Sequence, residues 1–426
     1  MTVNSGDKNN WREKYLNALD EQEQLEKQFA DQQEMLRSAL VRVSVAADGQ
    51  DETLDQIMVK LREQLRSKMN PIDFNRTLAQ LESAFKHRQL QCIIGAIGFS
   101  GHLAIRQLGR LARDHADLPM AARTYGQAAT PTSFGAVVAS WGHPILRHRA
   151  RLAAVRDDLA VVSLGGAAGT LSAMGTEGPA TRAALAAALG LTDPGHSWHA
   201  ERDSIGAFAA WMAGLVASLG KMGEDLILLV QSGQGEVVIA GAGGSSTMPQ
   251  KQNPVGPSVL VALARHVTGL AATLQGAALH RQQRDGAAWF AEWLSLPQAC
   301  ILTSRALGLA QDLAGRITPN YVTMARNLTA GGGLIHAEAL SFALATRMPR
   351  PEAQAVVKRL CREVEATGTA LPDLAMRDFP GTDWHAVLTQ GGLGQAPTEA
   401  RAFAEAHAFE DTFQRRVAHL QHVAAA

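Results

Sequence analysis

The chain has 426 residues, and Lys+Arg and Asp+Glu are equal at 40 each, so the formal net charge is zero. No long-range field then favours nucleic acid or an anionic membrane, and the length suffices for roughly two to three domains with sizeable cores. Three cysteines, Cys92, Cys300 and Cys361, are odd in number, far apart and without CxxC or His-paired spacing; this argues against a disulfide framework or structural zinc and fits a reducing cytoplasm.

The first residues, "MTVNSGDKNNW", are polar and lack an apolar stretch, so no secretory signal is expected. Residues 1–95 are dense in Glu, Gln, Lys and Arg, with Leu25, Phe29, Leu36, Leu40 and Val43 spaced by threes, fours and sevens. That spacing predicts charged amphipathic helices of the coiled-coil or helical-hairpin kind, their charges forming a solvated face. "AADGQDETLDQ" (Ala46 to Gln56) reads as a turn, followed by helices over Leu54–Ser67 and, after Pro71, Phe74–Arg88. The most apolar run, "CIIGAIGFSGHLAI" (Cys92 to Ile105), is shorter than the ~20 residues of a membrane span and reads as a buried helical segment.

Beyond residue 95 the chain turns Ala-, Leu- and Gly-rich. "TRAALAAALGL", "IGAFAAWMAGLVASLGKMGEDLILLVQ", "VGPSVLVALARHVTGLAATLQGAALH" and "SLPQACILTSRALGLAQDLAG" each predict a long apolar helix. Helices apolar over so much of their circumference are buried in a bundle or an oligomer. The fold expected is all-α, with a charged N-terminal region (1–95), a central helical domain (96–325) and a C-terminal helical domain (326–426).

One stretch breaks the helical pattern: "GAGGSSTMPQKQNP", Gly241 to Pro254. Its glycines permit close backbone approaches and its prolines stiffen the exit. Ser245 and Ser246 offer hydroxyls and adjacent N–H groups, Lys251 a cation and Asn253 an amide. Removing a proton next to a carboxylate creates an enolate-like dianion, which such donors stabilise if arranged beforehand. A serine serves as base there only if the positive groups lower its pKa.

Gly244 to Pro254 matches the GSSxMPxKxNP signature at every fixed position, and on it the chain resembles the fumarase/aspartase superfamily. "SLGGAAGT", "WHAERDSIGAFAAWMAGLVASLGKMGEDLILLVQSGQGEV", "WFAEWLSLP" and "NLTAGGGLIHAEALSFALA" carry the resemblance toward its bacterial 3-carboxy-cis,cis-muconate cycloisomerase branch, from about Leu108 to about Phe409. The resemblance implies a bundle of long central helices, a homotetramer and sites assembled from three subunits. It further implies no metal or other cofactor, and a small polycarboxylate substrate that loses a proton alpha to a carboxylate. By the same resemblance Ser245 is the base, Ser246, Lys251 and Asn253 bind substrate, and Thr124 sits where relatives contact it. Arg202, beside His199 and Asp203, is open to two readings: an anion contact or a helix-start ion pair.

The chain also departs from that pattern. Cycloisomerases carry a stretch close to RTWLQHATPVTFG, whose histidine donates a proton, and pair that histidine with a glutamate in a HER triplet. Here the stretch is "RTYGQAATPTSFG" (Arg123 to Gly135), with Ala128 at the histidine's position, and Gln283 replaces the glutamate. Tyr125 or His280 is either a substitute acid or a structural side chain. Thr124 and Thr130 are open to a capping role as well, and Trp198, Trp289 and Trp293 read as core. The family's N-terminal substrate-binding stretch has no counterpart; residues 1–95 instead resemble the helical region preceding the GGDEF domain of some diguanylate cyclases, without any GGDEF-like motif. "GGAAGT" lacks the spacing of a dinucleotide site. Two alternatives to an active enzyme follow: a catalytically impaired helical oligomer, or an interaction module dimerising through residues 1–95.

Overall fold

The protein is described by a computed structural model over residues 71–406, apart from residues 199, 242, 245–247, 249, 250 and 391. The helices expected before Pro71, with their Leu25 to Val43 stripe, lie outside the described residues, as do Ser245, Ser246 and His199. What is described is mostly helical, with six short strands joined in three antiparallel pairs.

Helix α1 runs from Pro71 to Asp114, 44 residues. Two separate helical segments were expected here. "HRQLQC" between them contains neither Gly nor Pro, so nothing interrupts the backbone ladder, while Pro71 stands at the first turn, where a missing N–H costs nothing. The chain divides into two compact units, whereas its sequence suggests boundaries at 95 and 325. One unit comprises, of the described residues, 71–96 and 160–198; the other comprises those of 97–159 and 200–406.

In the first unit, α3 (Gly178–Leu189) ends on Gly190 in the left-handed conformation. Its apolar side packs Leu185 and Leu189 with Val162, Leu164, Leu171 and Leu191. A buried Arg182 donates to Asp193 at 2.6 Å, and Trp198 Nε1 donates to the Val162 carbonyl at 2.9 Å. Trp198 is therefore core with its polar edge satisfied.

The second unit is built on four long helices, α2 (Phe134–Leu159), α4 (Asp203–Leu229), α5 (Val255–Ala277) and α6 (Gly286–Ala314), together with the end of α1. Ile205, Phe208, Met212, Leu215, Val216, Leu219, Met222 and Leu226 of α4 are buried, at the three- and four-residue spacing of a helix enclosed by neighbours. Small residues set the distance from α4 to α5: a Cβ on Gly223 would lie 2.9 Å from the Pro257 carbonyl, and one on Gly220 2.8 Å from Ala264 Cβ. Polar links fix the register, with Trp141 Nε1 donating to Asp225 at 2.8 Å and Gln275 Nε2 to the Gly206 carbonyl at 2.8 Å.

Two small ladders close the ends of this unit. β1 (Pro119–Thr124) pairs with β2 (Gln127–Ser133) around a turn in which Tyr125 and Gly126 both take positive φ. β3 (Val237–Ile239) pairs with β6 (Ile317–Pro319). The third ladder, β4 (Gly243–Gly244) with β5 (Gln252–Asn253), belongs to the Ser/Lys/Asn loop. C-terminal to β6 come α7 (Tyr321–Thr329) and then α8 (Ala337–Ala345), α9 (Arg350–Thr367), α10 (Leu371–Asp378) and α11 (Trp384–Gln390), and the last four gather Leu340, Leu344, Leu360, Leu371 and Trp384 into a second core.

Asp203–Leu229, Val255–Ala277 and Tyr321–Ala345 are long and apolar enough to cross a bilayer by length and composition alone. The run "CIIGAIGFSGHLAI" is thus not the best candidate by that measure. The third stretch is not one helix: Gly331, Gly332 and Gly333 take φ of 68°, 66° and 76°, a left-handed run open only to glycine, and turn the chain between α7 and α8. The first is enclosed by other helices of the bundle, which accounts for its hydropathy.

Candidate functional site

The loop is entered from β3. Ala240 donates its N–H to the Arg316 carbonyl at 3.0 Å, and Gly241 turns at φ 72°. Gly243 then pairs with Asn253 and Gly244 with Gln252. A side chain at Gly243 would come within 2.7 Å of Val255 Cγ2, so this strand needs glycine for close approach rather than for its φ. Across the loop, Lys251 donates its N–H to the Met248 carbonyl at 2.9 Å. The Lys251 side chain is exposed and Asn253 is half-buried.

Pro254 and Val255 open α5, whose first turn contains no acidic residue. The free N–H groups and positive end of a 23-residue helix thus follow the loop directly. The ladder brings together the backbones of Gly244 and Gln252, the residues that precede Ser245 and follow Lys251 in the chain. The described part of the loop thus presents one exposed ammonium, that of Lys251, three residues before the half-buried Pro254 at the N-cap of α5.

Thr124 lies exposed at the end of β1, next to the Tyr125–Gly126 turn, and Ala128 is exposed on β2 opposite Arg123. Tyr125 is fully exposed at φ 51°, an uncommon conformation for an aromatic residue. Arg123 points the other way. Its Nη1 and Nη2 donate to Oε2 and Oε1 of Glu236 at 2.8 and 3.0 Å, and Asn327 Nδ2 donates to the same Oε1 at 2.9 Å.

Glu236 is completely buried, and the sequence reading passed over it. The signal was available: a carboxylate directly before the apolar strand "VVI" must be either exposed or paired.

Arg202 forms a buried bidentate pair with Glu292 of α6, Nε to Oε2 at 2.8 Å and Nη2 to Oε1 at 2.5 Å. This is the ion-pair arrangement of its two readings, made to a residue 90 positions away rather than within its own helix. Nearby, Asp285 caps α6 by accepting from the Ala287 and Ala288 N–H groups, and its hydrogen bond from Arg281 helps hold its carboxyl down at about 2. His280 has a buried Nε2 with no hydrogen-bond partner. Burial first, then the Arg202 charge, lowers its pKa, against the opposing pull of Glu292 and Asp285.

Gln283 is exposed on the turn before α6. Arg284 stacks 3.8 Å from the Trp289 ring centre, and Trp289 and Trp293 stack at 5.2 Å, both half-buried.

Among the described residues no group of three His, Cys, Asp or Glu side chains is set to hold a metal. Burial pushes the Cys300 thiol up to about 12, which removes it as a nucleophile. An open groove of about 630 Å³ between α4 and α5, lined by Glu224, Ile227, Ser258, Val261, Arg265 and His266 among others, does not include Lys251 or Asn253.

Comparison with known proteins places these features. The family described as Lyase matches residues 102–269, and the DGC-associated coil matches residues 2–92. The latter match is only loosely related to the likeness of residues 1–95 to the helical region preceding a GGDEF domain. The 3-carboxy-cis,cis-muconate cycloisomerase of Pseudomonas aeruginosa is 43% identical over 59% of this chain and 55% of its own. The nitrosuccinate lyase of Streptomyces davaonensis is 37% identical over 63% of this chain and 58% of its own. The chain thus spans little more than half the length of these relatives. The crystal structure of the 3-carboxy-cis,cis-muconate lactonizing enzyme from Pseudomonas putida superposes with a TM-score of 0.74 at 31% identity, over 87% of this chain and 85% of that one. With a solved lyase fold followed over that much of its length and the GSSxMPxKxNP signature unbroken from Gly244 to Pro254, the chain belongs to the fumarase/aspartase superfamily of lyases.

Proposed function

We propose that the protein acts on a small polycarboxylate in the manner of its cycloisomerase relatives, removing a proton alpha to a carboxylate. Ser245 is the base; Ser246, Lys251 and Asn253 bind the carboxylate and the enolate-like charge that develops, and Thr124 adds a hydroxyl from the hairpin turn. The observation that carries this reading is the β4–β5 ladder, which seats an exposed ammonium at the loop and opens the N-terminus of α5 just after it. Preorganised donors of this kind stabilise charge that appears only in the transition state. Arg202, already paired with Glu292, serves the framework of that site rather than the substrate.

A second reading, a lyase-fold oligomer with impaired chemistry, draws on Ala128 and Gln283, whose methyl and amide groups donate no usable proton. Loss of a general acid costs roughly 10²–10⁴ in rate.

The test is turnover of 3-carboxy-cis,cis-muconate, and of argininosuccinate- and adenylosuccinate-type substrates, by the purified full chain beside Ser245→Ala. Measurable turnover that falls at least roughly 100-fold in the variant supports the enzyme reading. Wild type and variant both indistinguishable from buffer would leave the impaired oligomer.

A further inference from the structure

Glu236 is a buried carboxylate that the proposed chemistry does not use. Its side chain receives Arg123 from β1 and Asn327 from α7. Its own N–H donates to the Leu229 carbonyl at the end of α4 at 2.8 Å, and its carbonyl accepts from the Asn320 N–H at 2.9 Å. Asn320 in turn caps α7, its side chain accepting from the Thr323 N–H at 3.1 Å. Asn327 Nδ2 also reaches the Gln234 carbonyl, at 3.4 Å.

One residue therefore joins the ends of α4, β1, β3 and α7. Two of these lead to the candidate site. Thr124 follows Arg123 directly and sits beside the strained Tyr125 turn, and β3 starts at the residue after Glu236 and delivers the chain to Gly241. Burying a carboxylate is unfavourable unless every lone pair is matched, and here the matching partners come from segments far apart in sequence. A fork-shaped pair also fixes orientation, because both guanidinium N–H groups must lie in the carboxylate plane.

We propose, resting on the reading of the loop given above, that Glu236 is a positioning residue: it couples the hairpin turn bearing Thr124 to the strand that feeds the Ser245–Lys251 loop, so that the two move as one piece. The carboxylate touches no substrate. It sets the angle between two segments that do.

Amide hydrogen exchange on the full chain, with steady-state kinetics beside it, tests this in Glu236→Gln and in Asn327→Ala. The second variant removes one neutral donor, leaves the Arg123 pair in place and is the arbiter if the first does not fold. Exchange is expected to rise roughly tenfold together in residues 119–133 and 237–244, while the α4 core from 208 to 226 keeps its wild-type protection. Turnover per folded site is expected to fall roughly tenfold with KM within about threefold, the mark of lost orientation rather than lost binding. A rise in only one of the two segments, a rise across the whole bundle, or unchanged exchange in both variants would overturn the proposal. Exchange needs no substrate. Absence of turnover in wild type would count against the function proposed for the loop and leave this coupling to be decided by exchange alone.

Discussion

The Arg202–Glu292 pair offers a sharp test, because its two possible roles predict opposite results for one double variant. Both side chains are only 7% exposed, and the two hydrogen bonds are 2.8 and 2.5 Å. Truncating Glu292 alone takes from a buried guanidinium the carboxylate that both of these bonds reach, at a cost of about 3–5 kcal/mol. At ~2–4 °C per kcal/mol, that lowers the melting midpoint of a domain this size by roughly 6–20 °C. Replacing both residues, Arg202→Met with Glu292→Leu, removes both buried charges together and fills similar volume, so stability returns to within about 2 kcal/mol of wild type. Circular dichroism melts of wild type, Glu292→Ala and the double variant measure this directly. Turnover then separates the readings of Arg202. A framework role leaves the double variant's kcat/KM within about threefold of wild type, whereas an anion contact loses roughly 10²–10³. A double variant as unstable as the single one would refute the charge argument, showing that packing rather than electrostatics governs the site.

Three further outcomes are expected. Lys251→Ala should lower kcat/KM by roughly 10²–10³ with an unchanged melt, since its ammonium is exposed and acts on developing charge; a change under about threefold would remove it from the site. Gly223→Val should cost about 1–3 kcal/mol or more by wedging a side chain against the Pro257 carbonyl; Gly269→Ala, in open space on the next helix, should instead be neutral or stabilise by about 0.5–1 kcal/mol in chemical denaturation. Burial, the leading cause in each case, lowers the pKa of His115, His143, His148, His280 and His336. The unfolded chain therefore binds protons more readily near its reference value of ~6.5, so stability is full above that pH and is lost as pH falls through the lower folded values. His336, whose buried Nδ1 has no hydrogen-bond partner, should carry much of this, and His336→Phe should flatten the drop in melting midpoint between pH 7 and pH 5; parallel curves would refute it.

Long helices were legible because their signal is local and repeated. The apolar segments read from Ile205 and Val255 correspond to α4 and α5 within two or three residues, since three- and four-residue spacing persists over six or seven turns. The α6 segment was read as starting at Ser295, yet the helix begins at Gly286: Asp285 caps it, and "GAAWFAEW" carries too many large apolar residues on all sides to show a period. The ladders were invisible for a different reason. β3 and β6 have three residues each and lie about 80 positions apart, too short for alternation to register. β1 and β2 contain Pro119 and Pro131 and a run of alanines, a poor strand composition that pairing and tertiary contacts override.

The site divides along the same line. Lys251 and Asn253 can be proposed from sequence because they stand in one contiguous signature, where residue type and spacing carry the information together. Glu236 and the partner of Arg202 were not, because a buried carboxylate reveals itself only through cations that arrive from elsewhere in the chain: Arg123, 113 residues before Glu236, and Arg202, 90 residues before Glu292. Each of these pairs satisfies a charge that would otherwise forbid burial, and each spends an arginine that sequence alone would offer to the substrate. Of the three cations considered, only Lys251 keeps an exposed side chain beside the serine loop. In the chemistry proposed above, stabilising a developing dianion would therefore fall to that ammonium, the Asn253 amide and the N–H groups at the start of α5, with the two arginine pairs holding the surrounding elements in place.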